Sequence, residues 1–525
     1  MVGLRPTRPV PDDRAARYRA EGWWDTGRLA DGIEAGAAAN PDAVALIDNE
    51  RTLTRHDVAA AVAAGVALLG RHGVRTGAGV VLVAGNTVHG VVAYHAALRS
   101  GATTAVLDRR CGAADLQVAL DVLDAPVTVI VPIEEQARII EGRSDIAVIA
   151  LEAFADATAL NALDPWPEPD RDAPAVVLFT SGTTGRPKGV VHSLNTLTAG
   201  AANMARITGT DERAVPFLVS PLMSITGVMQ MHLAADRHTT LVLEDCFEPE
   251  HALERIDRHG GTLIGGAPVI AERVLRAADS RGAHRIALRT LALGGAMLPR
   301  PLLELATDRF GIEVARVYGS SEAPNATGSL PGEPRAQRLA DDGALMPGTE
   351  VRVGSAAHPQ EGLLRGPAVF LGYADAEHNA DAFDDDWFRT GDAVEVHDGR
   401  LTVVGRIKDV VNRNGLKVSP SEIDAALARL PGVVEYASFG LPDPETGERL
   451  AVAVRPEQGT TTTLEYVCAF LRSEGTATRK LPEQLVVWDE PLPRTVSGKL
   501  VRSRLVMESP AKHNEYAPRL PRSDR

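Results

Sequence analysis

Lysine is nearly missing from this 525-residue chain: six are present (Lys188, Lys408, Lys417, Lys480, Lys499 and Lys512), although lysine and arginine together number 55. Positive charge is supplied almost wholly by arginine, so each lysine calls for a reason. An ammonium on a flexible stem and a planar guanidinium are not interchangeable in a site. Cysteine is as scarce. Cys111, Cys246 and Cys468 lie far apart with no CxxC spacing, which excludes a disulfide framework and a cysteine-built zinc site. Net positive charge is lacking too: the balance of −14 argues against a nucleic-acid partner, since phosphate backbones demand a basic surface. No long apolar run occurs. The most apolar stretch, residues 80–98, is interrupted by Gly85, Asn86, His89 and Gly90 and cannot span a bilayer. The N-terminal MVGLRPTRPVPDDRAARYRAEGWW is charged throughout and has no signal core. Together these absences predict a reduced, cytoplasmic protein with no membrane span and no nucleic-acid partner.

What is present is a globular composition, 44% hydrophobic and 24% charged. The chain is long enough for roughly two to four domains. Thr54 and Asp57 resemble a helix start, and Val58, Val62, Val66 and Leu69 form a helical stripe stopped near Gly73. A strand at 79–84, a helix at 86–100, a strand at 103–107, a helix at 113–123 and a strand at 126–131 follow. Strands alternating with helices imply parallel sheets covered on both faces. The theme returns with a strand at 289–293, a helix from Pro299 to near Gly311 and a strand at 313–318. After about residue 345 the rhythm changes to short strands between Gly and Asp turns, at 350–353, 362–365 and 400–404. Ser419-Pro420-Ser421-Glu422 then reads as a helix start, with a capping serine, proline at the first helical position and glutamate three after the cap. It opens a small α+β unit: a helix to near Gly432, strands at 433–439, 450–455 and 484–488, and a helix at 464–473. The boundary falls at 405–409. Beyond Arg504 the sequence has no periodicity and reads as loosely held.

Residues 178–193 read LFTSGTTGRPKGVVHS. An apolar run at 175–178 reads as a buried strand before the loop, and an Ala-rich, helical segment follows it. Backbone N–H groups exposed by glycine, several hydroxyls and one ammonium are what a polyphosphate requires. The nucleotide P-loop is excluded by spacing, because that motif has four residues between its glycines and ends Gly-Lys-Ser/Thr. Here Gly182 and Gly185 are two apart, Arg186 and Pro187 precede Lys188, and Gly189 follows it.

FTSGTTGRPKGV resembles the phosphate-loop signature of the adenylate-forming superfamily, which includes acyl-CoA synthetases, aryl-acid ligases, nonribosomal adenylation domains and luciferases. Further segments fall in that family's order: GGAMLP at 294–299, YGSSE at 318–322, LLRGPAVFLGY at 363–373, WFRTGD at 387–392, GRIKDVVNRNGLKVSPSEID at 405–424 and PRTVSGK at 493–499. The resemblance covers residues 28–504, and Lys188, Lys408, Lys417 and Lys499 all lie inside its segments. It implies an α/β fold with a large N-terminal AMP-binding domain (1–405) of parallel α/β sheets plus a small β-barrel-like subdomain. A hinge (406–409), a small mobile α+β C-terminal domain (410–510) and a tail (511–525) complete it.

The resemblance also implies a reaction, in which a carboxylate and ATP give an acyl-adenylate and pyrophosphate, and the acyl group then passes to CoA. On that basis Thr180, Ser181, Gly182, Thr183, Thr184 and Lys188 hold the β- and γ-phosphates. Gly294, Gly295 and Ala296 wall the adenine, and Tyr318 stacks on it, with Gly319 and Ser320 in the same nucleotide-binding loop. Ser321 stands where the family usually has threonine and offers its hydroxyl to the α-phosphate. Glu322 binds Mg²⁺, and Asp392 and Arg406 take the ribose. Lys499 carries the first chemical step by bridging the carboxylate and the α-phosphate. Lys408 occupies the hinge, and Gly415 lines the tunnel for the pantetheine thiol.

The same resemblance puts the acyl pocket at His192, Met223, Ser224, Thr226, Gly227, Val228, Gly265, Gly266 and Gly294. Ser224 stands where many relatives carry histidine, Ile225 stands where aryl-hydroxyacid ligases tend to have asparagine, and no aspartate is present to meet an α-ammonium. These absences favour an apolar, medium-chain or alicyclic acid. No carrier module follows Lys499, which favours CoA as acceptor. A free-standing carrier-protein pantetheine or an amine is the alternative, and the molecule is expected to be a monomer or a homodimer.

Overall fold

The computed structural model describes residues 8–25, 31–123, 127–133, 146–154, 169–180, 187–295, 298, 300–413, 416–494 and 500–517. Gly79–Ala84, buried at every position, is the middle of the first sheet. Val127–Val131 and then Ala147–Ala150 lie parallel on one side, and Thr103–Asp108 and Pro174–Thr180 on the other. Strands covered on both faces read as continuous Val/Leu runs rather than alternations, which is why this sheet was legible from the sequence. Helix Arg55–Arg71 leads into Gly79–Ala84 from a separate small sheet, and helices Val88–Arg99 and Ala113–Leu123 make crossovers between these strands. The capping box expected at the first of these forms: the Thr54 hydroxyl accepts from Asp57 N, and the Asp57 carboxylate accepts from Thr54 N at 2.9 Å.

One strand escaped the sequence reading. The chain does not run from the glycine-rich loop straight into a helix but doubles back as Lys188–Ser193, antiparallel to Pro174–Thr180, before helix Leu194–Thr208. Its KGVVHS composition carries too few apolar residues to announce it. The second sheet starts with parallel strands Leu263–Gly266, Thr290–Gly294 and Glu313–Tyr318. It continues antiparallel through Thr327–Gly328, Ala344–Leu345, Arg400–Arg406, Trp387–His397, Glu361–Arg365 and Glu350–Val353. The short strands anticipated as a barrel-like unit therefore extend an open sheet, and among the described residues they close no barrel.

Residues after 410 form their own unit around Val411, Ile423, Leu427, Val452, Val467 and Leu485. Two expectations fail there. The Ser419 side chain does not cap helix Pro420–Leu427 but donates to Val404 O at 3.1 Å, and Glu422 pairs with Lys480 at 2.5 Å. An available carbonyl across the boundary outcompetes the helix's own N–H groups for the serine. Nor is the segment after Arg504 loose. Arg502–Glu508 is helical, and His513–Tyr516 pairs antiparallel with Gln484–Val487, covering what would be a bare sheet edge. Backbone pairing of a four-residue edge strand leaves no periodic signature. Among the described residues no helix is long and apolar enough to cross a membrane.

Three histidines are buried in neutral form. Tyr94 hydroxyl and His232 Nε2 lie 2.8 Å apart, with the His95 ring 6.0 Å from that of His232. Burial lowers His95 and His192 to about 4 and His232 to about 3. A group whose folded value is depressed leaves stability intact above the unfolded value, about 6.5, and drains it as pH falls toward the folded one. The unfolding free energy should therefore be flat above pH 6.5 and fall steeply toward pH 4, by about 2 kcal/mol per histidine at pH 5. Denaturant melts at pH 7 and pH 5 check this; His95→Leu should remove about a third of the slope, and an unchanged slope would contradict it.

Candidate active site

Thr180 and Lys188 face each other as the last pair of an antiparallel register, so the two strands of this hairpin are paired up to the ends of the glycine-rich loop. Ser181, Gly182, Thr183 and Thr184 lie outside the described residues, as do Ala296, Gly415 and Lys499. The Lys188 ammonium sits 4.9 Å from the Tyr373 ring centroid, within cation–π range. The Tyr373 hydroxyl donates to Glu322 Oε1 at 2.8 Å, and burial together with the Glu322 charge keeps this phenol protonated. Tyr373 had no role from the sequence; it ends the 363–373 segment, and only the fold shows that it links the lysine to the carboxylate. It is carried there by a run laid against the hairpin's second strand. Leu371 N donates to Val191 O at 2.8 Å, Tyr373 bridges Val190, and Ala374 N donates to Gly189 O at 2.8 Å.

His192, two residues further along that strand, is fully buried with both ring nitrogens engaged. Nε2 lies 2.7 Å from Ser321 O and Nδ1 lies 3.0 Å from Thr196 Oγ1. A proton on Nε2 lets the neutral ring donate to the Ser321 carbonyl. This histidine therefore props the 318–322 turn from beneath. The turn is tight: a Cβ on Gly319 would come within 2.7 Å of Ala323 O, and the Ser320 hydroxyl accepts from Glu322 N at 3.2 Å and Ala323 N at 3.3 Å. Phe370 N donates to Glu322 O at 2.8 Å, fixing the glutamate's backbone as well. Ser321 and Glu322 are half-buried at the turn's surface.

Tyr318 ends its strand with the hydroxyl donating to Asp392 Oδ2 at 3.0 Å, while Arg406 Nε reaches Asp392 Oδ1 at 3.2 Å. Asp392 and Arg406 are register partners on adjacent strands, which sets that pair. The Asp392 side chain is only 12% exposed, and its burial outweighs both partners, raising its pKa above the ordinary aspartate range. Lys408 lies nearby, its side chain exposed to solvent. Partial desolvation, then Arg406, and more weakly Lys188 lower its proton affinity, while Asp409 and Asp392 oppose them. Lys188, Arg406 and Lys408 thus share one cleft with Asp392 and Glu322, an arrangement suited to a polyanion that carries both charged and hydroxyl groups.

In the segment expected to hold the acid, Ser224 caps helix Ile225–Arg237, accepting from Gly227 N at 3.1 Å and donating to Pro221 O at 2.7 Å. Gly227 is required by the same turn, because a Cβ there would stand 2.4 Å from Pro221 O. Val228 belongs to the main core, while Met223 and Thr226 are half-buried. Gly265 O accepts from Ser220 Oγ at 3.1 Å and from Gln230 Nε2 at 3.3 Å. Gln230, fully buried, leaves its Oε1 with no partner among the described residues. The sequence reading missed it. Its one signal was a lone amide in the apolar run VMQMHLA.

The family model described as AMP-binding enzyme matches residues 33–374, and the one described as AMP-binding enzyme C-terminal domain matches residues 422–499. A salicylyl-CoA synthase / salicylate adenylyltransferase from a Streptomyces species is 32% identical over 95% of this chain and 96% of its own length. A medium-chain fatty-acid–CoA ligase of Escherichia coli (strain K12) is 30% identical over 95% of this chain and 93% of its own. Among solved structures, the anthranilate CoA ligase AuaEII in complex with anthranoyl-AMP superposes with a TM-score of 0.83 at 21% identity, covering 92% of this chain and 97% of that one.

Gly294 yields a direct test of backbone packing here. A Cβ there would lie 2.2 Å from Val317 O on the adjacent strand, and backbone cannot yield as a side chain can. Gly294→Ala should lower stability by about 1–3 kcal/mol, read as a lower melting temperature. Gly112→Ala, whose Cβ would meet nothing closer than 3.8 Å, should stay within about 0.5 kcal/mol of the parent. Equal melting temperatures for all three proteins would refute the close approach.

Proposed function

This chain belongs to the AMP-binding enzyme family, and on that premise we propose that it is an AMP-forming acid–thiol ligase using the cleft just described. The carboxylate of an acid attacks the α-phosphorus of ATP; an O–P bond forms, the bond to pyrophosphate breaks, and an acyl-adenylate results. A CoA thiol then attacks the acyl carbon, a C–S bond forms, AMP leaves with the C–O electron pair, and the thiol proton is released. The observation that carries this reading is the single cleft in which Lys188, Tyr373 and Glu322 adjoin Tyr318, Asp392 and Arg406.

Each residue has a task that its surroundings support. Asp392, held by Tyr318 and Arg406, accepts from the ribose hydroxyls, and its burial makes those hydrogen bonds worth more than in water. Lys188 meets the β- and γ-phosphates with the hairpin's N–H groups. Glu322 suits a magnesium ion that binds one carboxylate and completes its shell with phosphate and water. Among the described residues no cluster of three or more metal-ligating side chains competes for that ion. Bound there, Mg²⁺ would neutralise the triphosphate. Lys499, at the end of the matched C-terminal region, delivers an ammonium between attacker and target. Rotation about residues 406–409 then withdraws it and admits the thiol past Gly415. The acid is mainly apolar, since Ser224 and Gly227 are consumed by their own turn. Gln230 Oε1 adds one acceptor for an N–H or O–H donor on the acid.

Pyrophosphate release with a panel of carboxylic acids, with and without CoA, tests the reading. Acid-dependent release with a CoA-dependent thioester supports it; release without any thioester points to a carrier-protein thiol or an amine as acceptor. Lys499→Ala should cut adenylation by about 10²–10³-fold while a pre-made acyl-adenylate is still converted, and equal loss of both steps would remove Lys499 from its role. Gln230→Leu should narrow the preference for a hydroxy- or amino-substituted acid over its unsubstituted parent by about tenfold. An unchanged ratio of kcat/KM values would show that Oε1 meets no substrate donor.

A further inference from the structure

The segment 8–25 precedes the region matched by the family model, which starts at residue 33, and yet it is tied to the cleft's framework on two sides. Helix Asp12–Ala20 and the two tryptophans after it pack Ala15, Tyr18 and Trp24 against Ala199 and Ala368. Toward the first sheet, Asp25 N donates to Asn195 Oδ1 at 3.2 Å, and Arg19 pairs with Asp172. Toward the second, Arg14 reaches Asp386 at 2.8 Å and Arg17 reaches Glu350 at 2.5 Å; Arg365 joins both acids at 3.1 Å. Arg8 N donates to Leu371 O at 3.1 Å. Trp23 occupies the space over Gly348, where a Cβ would come within 2.5 Å of its ring.

The decisive contact is Trp24. Its buried indole N–H donates to Pro367 O at 2.9 Å. Residues 367–374 are the run that carries Phe370 N to Glu322 O, Leu371 N to Val191 O and the Tyr373 hydroxyl to Glu322 Oε1. The strap therefore grips one end of a short, irregular run whose other end aims a phenol at the cleft's glutamate. We propose that Trp24, supported by Tyr18, is a positioning residue for Glu322, acting through 367–374 and Tyr373, so that the N-terminal strap tunes the enzyme's grip on magnesium triphosphate. This rests on the role given to Glu322 above.

Binding of Mg·ATP without turnover, measured by calorimetry, reads the effect directly. Trp24→Phe keeps the ring and loses only the N–H donor; Trp24→Ala removes both. Trp24→Ala and Tyr373→Phe should each weaken Mg·ATP by about 5–20-fold, and Trp24→Phe by less. The Trp24→Ala/Tyr373→Phe double variant should be no weaker than the worse single, because both act along one route. Thioester formation from a pre-made acyl-adenylate, which contains no triphosphate, should stay within about twofold in Trp24→Phe. Glu322→Gln separates the two layers of the argument. If it weakens Mg·ATP and neither Trp24 variant does, the strap role is overturned and the Glu322 reading stands. If Glu322→Gln leaves Mg·ATP affinity unchanged, the Glu322 reading falls and takes the proposal with it. Additive effects in the double variant, or parallel loss of both half-reactions, would mark the strap as merely structural and overturn the proposal.

Discussion

Like charge held beside like charge is the constraint around which this molecule is arranged. Lys408 loses proton affinity to partial desolvation, to Arg406 and to Lys188, so the cleft's cations are near enough to repel one another. The counterweights are few and each is braced. Asp392 is held by Tyr318 and Arg406, Glu322 by Tyr373, and Asp409 lies 3.6 Å from Arg502. On the function proposed above, an incoming polyanion would complete this balance. Because the donors are already oriented, they cost no reorganisation when it arrives, which is the source of most electrostatic stabilisation in such sites.

Such a cleft needs a stiff frame beneath it. The ends of parallel strands provide one, since ligands bind outside their carboxyl ends where loops converge. Gly294 and Gly319 bring backbone to within distances no side chain would allow, and His192 supports the Ser321 carbonyl with a ring whose second nitrogen is also engaged. A neutral, buried imidazole is a good prop because its protonation would require solvation that the site withholds. The N-terminal strap serves the same end from outside. In a chain with only 4% aromatic residues, placing Tyr18, Trp23 and Trp24 within seven positions concentrates apolar area where two sheets must be held together.

The sequence made much of this legible, and the gaps have physical causes. Parallel strands such as Gly79–Ala84 and Val127–Val131 declared themselves because burial on both faces demands largely apolar runs. The Thr54–Asp57 cap was readable because it is local, whereas Ser419 was misread because its partner, Val404 O, lies fifteen residues away. Strand Lys188–Ser193 and the edge strand His513–Tyr516 are held by pairing rather than pattern, and pairing leaves no mark on composition. In the cleft, residues inside recognisable segments could be nominated individually. Tyr373, Gln230 and Trp24 could not, because their significance lies in what they touch across more than thirty residues of chain.

The distribution of lysine fits this division of labour. Arg406 lies on Asp392, and Arg365 bridges Glu350 and Asp386: arginines occupy places where a planar fork locks a carboxylate in register. Lys188 faces an aromatic ring rather than a carboxylate. In the role proposed for Lys188, a single rotatable ammonium would serve better than a bidentate clamp, because a fork that fits phosphate equally well before and after cleavage favours the product as much as the substrate. On the function proposed above, the same reasoning extends to Lys408, which would exchange one electrostatic environment for another if the small domain turns about residues 406–409. Lys480 and Lys512, by contrast, pair with Glu422 and Glu490, so the reasoning fits the lysines inside the nucleotide-binding segments and not the residue type as such.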